Sequence, residues 1–300
     1  MRMSSGGTAV SATPFEYVRA KSWTETVDLL AAGGEDARPI AGGQSLVPMM
    51  TLRLARPTLL VDINEAAEPE ILCDGNTLRL SALVRHDRLG SSEVISEFCP
   101  LLSEAAQYVG NARVRSRGTI GGSLAHAEAT AELVCALLAL DARVIILSHR
   151  GERMVSVDEL IVSHFTTSLI AGEVITAVEI PIIPTRCGYA FVEFRRRHGA
   201  FALAEAGVTV ELDGNGRTRV VRIAAAGASD RPRDFSYLAE GLGEYMPSDR
   251  AIGNVARAVA ADAVAASHGA KVDYSRELIG TAVWRAVASG FARAQEGSRG

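Results

Sequence analysis

Apolar positions change period several times along the first two thirds of the chain. Val27, Leu30 and Ala31 recur at helical spacing behind Ser22-Trp23-Thr24-Glu25, a serine with a glutamate three places on, and Gly33-Gly34 follows; this predicts a short capped helix. Pro39-Ile40-Ala41 reads as a brief strand and Thr58 to Ile63 as a more continuous one, while Leu78 and Leu80 alternate with Thr77, Arg79 and Ser81 in a third. From Pro100 to Val109 a helix is predicted, with proline at its first turn and Gly110 as its stop. Ala129 to Leu140 holds strong helix formers throughout, Val144 to Leu147 returns as a buried strand, and Val174 to Ile180 is a strand closed by Pro181.

Ile183-Pro184-Thr185 has the composition of a linker and sets the expected domain boundary. Beyond it, Tyr189 to Arg195 and Phe201 to Leu212 read as strands, and the turn Asp213-Gly214-Asn215-Gly216 leads into Val220 to Ala226, so an antiparallel meander is expected. Two alanine-rich helices with apolar faces, Ser248 to Ser267 and Tyr274 to Arg293, end the chain and are placed over that meander.

A chain of 300 residues has room for two domains of ordinary size. Its net charge of −4 and pI near 5.9 argue against a nucleic-acid partner, and the short run Arg195-Arg196-Arg197-His198 is better read as salt bridges or a subunit contact. Met1 to Pro14 resembles neither a secretory signal nor a transit peptide, and no apolar run approaches the roughly twenty residues that span a bilayer. No membrane insertion and a cytoplasmic location are therefore expected. Cys73, Cys99, Cys135 and Cys187 are scattered without a Cys-x-x-Cys pair, and the six histidines have no ligand spacing, so no metal or iron-sulfur site is expected on this chain.

The candidate chemistry lies in two glycine pairs, Ala41-Gly42-Gly43-Gln44-Ser45-Leu46 and Thr119-Ile120-Gly121-Gly122-Ser123-Leu124. Glycine at a loop apex lets the main chain approach a ligand closely, so both segments read as loops with amide hydrogens aimed at the phosphates of one long polyanion, such as a dinucleotide. Neither has the lysine of a P-loop, and no Gly-x-Gly-x-x-Gly run exists for a Rossmann site. Gly121-Gly122-Ser123-Leu124-Ala125 approximates the nucleophile elbow of a serine hydrolase, with His126 three residues on. The later histidines His164, His198 and His268 lack the acid-then-histidine context of that fold, and His126 reads as a polar loop residue beside the ligand.

With Val47-Pro48-Met49-Met50 after the first pair and Arg115-Ser116-Arg117-Gly118 before the second, the chain resembles the FAD-binding medium subunit of molybdenum hydroxylases, as in carbon monoxide dehydrogenase and the matching segment of xanthine dehydrogenase. Phe15-Glu16-Tyr17 and the strand from Val174 to Pro181 fit as well, so the resemblance runs from about Pro14 to the end. It implies an α+β fold. A two-part FAD-binding domain of the vanillyl-alcohol-oxidase-like (PCMH) type covers 14–184, and a smaller domain of three antiparallel strands and helices covers 185–296. It also implies non-covalent FAD, held at its pyrophosphate by Ile40, Ala41, Gly42, Gly43, Gln44, Ser45 and Leu46 and by a second loop of Thr119, Ile120, Gly121, Gly122 and Ser123. Glu132 aligns with an acidic residue near the adenosine part, Ile175 with an apolar residue against the isoalloxazine, and Phe201 with a residue packed near the ring.

Two features depart from the family: the lysine of many relatives near Val192 or Glu193 is missing, and Gly199-Ala200-Phe201 lacks their aspartate. The implied complex has a molybdenum-pterin large subunit and a small subunit with two [2Fe-2S] clusters, arranged as a heterotrimer, with this chain passing electrons to an external acceptor. That role requires no catalytic acid or base here. A stand-alone flavin oxidase and a flavin-free scaffold are the alternatives; the first commonly needs a histidine or cysteine for covalent attachment, absent from both motifs, and the second has no use for two open glycine loops.

Overall fold

The computed structural model describes residues 13–182, 187–265 and 272–296. The residues 1–12 of the expected N-terminal arm, the boundary at Ile183-Pro184-Thr185 and the last positions of the helix expected over Ser248 to Ser267 lie outside the described residues.

The first layer is a parallel sheet of β1 (Glu16–Arg19), β2 (Ala37–Ile40) and β3 (Leu59–Asp62), with β3 in the middle. Parallel neighbours need crossovers, supplied here by α1 (Trp23–Gly33) and the short α2 (Leu46–Thr51). The Ser22 hydroxyl accepts the Glu25 N–H at 3.1 Å, and the Glu25 carboxylate takes the N–H of Lys21. Gly34, at φ +63°, ends α1 by bonding back to Leu30. Val27 and Leu30 face Val61 and Leu83 in a small separate core.

The second layer is an antiparallel sheet in the order β4-β5-β10-β6-β7, from β4 (Ile71–Asp74), β5 (Thr77–Ser81), β6 (Arg143–Ser148), β7 (Gly151–Ser156) and β10 (Val174–Pro181). Between β5 and β6 run α3 (His86–Ser91), α4 (Glu93–Phe98), α5 (Pro100–Tyr108), α6 (Ala112–Arg115), α7 (Ile120–His126) and α8 (Glu132–Ala139). After β7 come α9 (Val157–Leu160) and a hairpin of β8 (Ile161–Ser163) and β9 (Thr166–Thr167). Leu78, Leu80, Val144, Ile146, Val178 and Ile180 share the main core with Leu102, Leu133 and Leu137 from the helices. Fully burying each such leucine contributes about 1.5–3 kcal/mol.

The C-terminal layer holds β11 (Cys187–Arg195), β12 (Ala202–Leu212) and β13 (Thr218–Ala226), the expected meander, extended by a two-residue β14 (Arg233–Asp234). Helices α10 (Asp249–Ala263) and α11 (Val272–Glu296) cover it. Helix and sheet meet so closely that a Cβ built on Gly188 would stand 1.9 Å from the carbonyl oxygen of Gly290. On β12, a Cβ at Gly207 would reach Ala139 and Ala136 of α8 at 3.4 and 3.6 Å, which makes α8 the joint between the two halves of the molecule.

Several expected boundaries move by a few residues, and three changes bear on the site. The helix expected from Ala129 starts at Glu132, because the Glu128 carboxylate holds the N–H and hydroxyl of Thr130 in a local turn. The strand expected from Phe201 begins one residue later. The second glycine pair, expected as a loop, lies inside α7.

Candidate functional site

Ile40 ends β2, and residues 41–45 carry the chain into α2 as the loop expected from the first glycine pair. Gly43 has φ +68°, a backbone that side chains rarely adopt. Among the described residues, no protein acceptor takes the N–H of Gly42, Gly43, Gln44, Ser45 or Leu46. The Gln44 side chain bonds the Gly42 carbonyl at 2.9 Å, which tightens the loop without using those donors. Five backbone donors on consecutive residues form a cradle for an acceptor-rich anion.

The second motif is built differently. Thr119 caps α7, its hydroxyl accepting the Gly122 N–H at 3.1 Å. The N–H of Ile120 goes to Val84, that of Gly121 to Ala82 and that of Ser123 to Thr119, so these amides are already spent. Gly121 is buried, and a Cβ there would sit 2.6 Å from the Ala82 Cβ and 2.9 Å from the Ala82 carbonyl oxygen. Its glycine serves the close passage of α7 over the β5–α3 turn.

The two motifs meet directly. A Cβ at Gly42 would lie 2.2 Å from the Arg117 carbonyl oxygen and 3.0 Å from the Gly118 Cα, so the first loop rests on the backbone that enters the second motif. Arg85 clamps this junction, donating to the Arg117 carbonyl and, at 2.6 Å, to Asn64 Oδ1, while Asn64 Nδ2 donates to the Ala41 carbonyl at 3.0 Å. Burial lowers the Arg85 pKa, with Arg117 nearby acting in the same direction. Among the described residues no carboxylate forms an ion pair with Arg85, Arg113 or Arg117. Guanidinium charge that Asp87 and Asp62 reach only from beyond ion-pair distance, set beside open amides, suits a polyanion. Sequence reading missed Arg85 and Asn64, because strand pairing brings them to the loops from a distance.

Ser123 does meet a histidine, but it is His86 rather than His126: Ser123 Oγ lies 3.1 Å from His86 Nε2. Burial lowers the His86 pKa to about 4, and its Nδ1 is buried without a hydrogen-bond partner. Among the described residues no carboxylate is hydrogen-bonded to the ring, and the nearby amides are already bonded, so the pair lacks the third member and the oxyanion donors of a hydrolase. His126 ends α7 and stacks on Phe165, ring centroids 4.7 Å apart.

The remaining candidates are distributed around this centre. Ile175 lies on β10, 4% exposed, beside the β10 bulge whose Thr176 carbonyl accepts the Ala82 N–H at 2.9 Å, next to the α7 packing site. Glu132 opens α8, and burial pushes its carboxyl up to about 7. Phe201, 76% exposed, lies on the β11–β12 turn, whose Gly199 approaches Gly110. The structure thus joins both glycine motifs and sets Ile175 close by, while Phe201 comes from the C-terminal layer. Among the described residues, no cluster of side chains could hold a metal ion, and no helix is long and apolar enough to cross a membrane.

Residues 13–183 match the family described as FAD binding domain in molybdopterin dehydrogenase, and residues 189–289 match the CO dehydrogenase flavoprotein C-terminal domain. The chain is 43% identical over 284 residues to the 6-hydroxypseudooxynicotine dehydrogenase complex subunit alpha of Paenarthrobacter nicotinovorans, covering 94% of this chain and 96% of that one. It is 33% identical to the carbon monoxide dehydrogenase medium chain of Hydrogenophaga pseudoflava, over 93% of this chain and 98% of that one. A solved structure of carbon monoxide dehydrogenase from the same organism, lacking the Mo-pyranopterin moiety of its cofactor, superposes with a TM-score of 0.88 at 30% identity, covering 94% of this chain and 99% of that chain.

Proposed function

Because the chain belongs to the family of FAD-binding medium subunits of molybdopterin dehydrogenases, we propose that its share of the reaction is to hold FAD non-covalently between two electron partners. One partner is a small subunit with [2Fe-2S] clusters, itself fed by a molybdenum-pterin large subunit, and the other is an external acceptor. Bound FAD supplies the redox chemistry. The substrate of the whole assembly binds the large subunit, so this chain carries no catalytic acid or base of its own. We assign the FAD-binding domain to 14–184, the C-terminal domain to 185–296, and the complex to the cytoplasm.

The observation that carries this reading is the run of N–H groups from Gly42 to Leu46 that, among the described residues, have no protein acceptor, beside Arg85, which has no ion-pair partner there. In our reading those donors hold the pyrophosphate. Hydrogen bonds to a charged group contribute about 1.5–3 kcal/mol each, so a few of them suffice to retain the cofactor. Thr119 to Ser123 support the loop from below through Arg117 and Gly118, and contact the ligand by side chain and Cα surface rather than by free amides. Glu132 accepts hydroxyl donors of the cofactor, and Ile175 and Phe201 supply apolar surface to its ring.

The purified chain is expected to be yellow, with a flavin absorption band, and to release FAD into the supernatant on acid precipitation. A colourless chain that takes up no FAD on reconstitution overturns the proposal, and colour that stays with the precipitate overturns the non-covalent attachment.

A further inference from the structure

Glu205 is 0% exposed, and among the described residues neither of its carboxylate oxygens has a nitrogen or oxygen hydrogen-bond partner, the Cys135 thiol being the polar group beside it. It stands on β12 directly opposite Glu193 of β11, whose side chain is also fully covered and whose two oxygens likewise lack hydrogen-bond partners. Directly opposed like charges on one sheet face are destabilising, and two buried carboxylates cannot both ionise at such a site. The surroundings offer little relief. From α8, packed on β12, come Glu132 and the buried Cys135, and Glu128 lies just before that helix. From β11 comes Arg195, whose Nε is 3.5 Å from Glu193 Oε1 but whose Nη1 is committed to the Tyr108 carbonyl of α5. On the other side β13 offers only Ala226 opposite Glu205.

Burial therefore raises Glu132 and Glu193 to about 7 and Glu205 well above the usual carboxylate range. One arginine stands beside these acids, so burial favours their protonated forms.

We propose that Glu132, Glu193 and Glu205 form a proton-held seam between the FAD-binding half and the C-terminal sheet, closed while the carboxyls are protonated and loosened when they ionise. The sign follows from linkage. Carboxyls that open into water regain ordinary acidity, so opening releases protons, is least favoured in acid, and grows as pH rises toward and through the folded-state values. The seam joins the half with the glycine motifs to the half with Phe201, and so sets how firmly the halves close on the cofactor. That consequence rests on the flavin assignment; the seam does not.

Cys135 is a built-in reporter, since it is buried beside Glu205. The full chain is labelled with N-ethylmaleimide between about pH 6 and 8, and each cysteine is quantified by mass spectrometry, with exposed Cys73 correcting for thiolate reactivity. Corrected labelling of Cys135 is expected to rise about tenfold per pH unit for each proton released on opening. Buried Cys99, at the start of α5, stays flat.

The double variant Glu193→Gln/Glu205→Gln is expected to lose at least half of that slope. If it does not fold, Glu132→Gln, across the seam, loses slope in the same way. A flat wild-type profile, a variant as steep as wild type, or a parallel rise at Cys99 overturns the proposal. The FAD content of the wild-type and Glu193→Gln/Glu205→Gln samples reads the flavin assignment independently, because the labelling needs no bound cofactor and neither residue is assigned to the flavin.

Discussion

The two glycine motifs look alike on paper and both pack against neighbouring backbone, yet they differ in what becomes of their amides. In the first, Gly43 takes a left-handed backbone and five successive N–H groups stay free, whereas in the second Gly121 is buried in a helix whose amides are already bonded. Both pairs make room for neighbouring backbone, Gly42 for Arg117 and Gly121 for Ala82, but only the first leaves its amides open. The difference is that a ligand loop needs spare donors, while a packing site needs only a missing Cβ.

The largest expected effect tests this contrast from the packed side. Gly121→Val forces a side chain into Ala82 and should cost about 3 kcal/mol of stability, read as a lower urea midpoint with flavin lost as a consequence. A variant with an unchanged midpoint but no flavin would make the second motif a ligand loop after all, and the contrast would fail. Next comes Arg85→Gln, which removes the charge at the junction. Its FAD dissociation constant is expected to rise about tenfold to a hundredfold in a flavin-fluorescence titration, with a steeper response to salt in wild type than in the variant. The smallest effect is Gly43→Ala. A left-handed alanine costs about 1 kcal/mol, so the urea midpoint drops slightly while the open amides keep most of the FAD affinity.

Much of this was legible in the sequence where one element carries its own signal. The alternation of Leu78 and Leu80 and the Asp213 to Gly216 turn placed their elements, and the apolar stretch placed α8 except for its start, because burial and turn chemistry act locally. The helix over the second glycine motif was not legible: two adjacent glycines have poor helix propensity, and what overrides it is contact with Ala82, nearly forty residues away. Arg85, Asn64 and His86 were missed for the same reason. The opposed Glu193 and Glu205 carried a usable signal, since they lie symmetrically about Gly199, the left-handed residue at the centre of their hairpin register.

The contact of Gly42 on the Arg117 backbone bears on how this chain can be recombined with its relatives. A chimera that exchanges only one motif sets a foreign loop against a native carbonyl with no space for any side chain or shift in path. Both segments, with the Arg85 turn that ties them, have to travel as one cassette even though dozens of residues separate them along the chain.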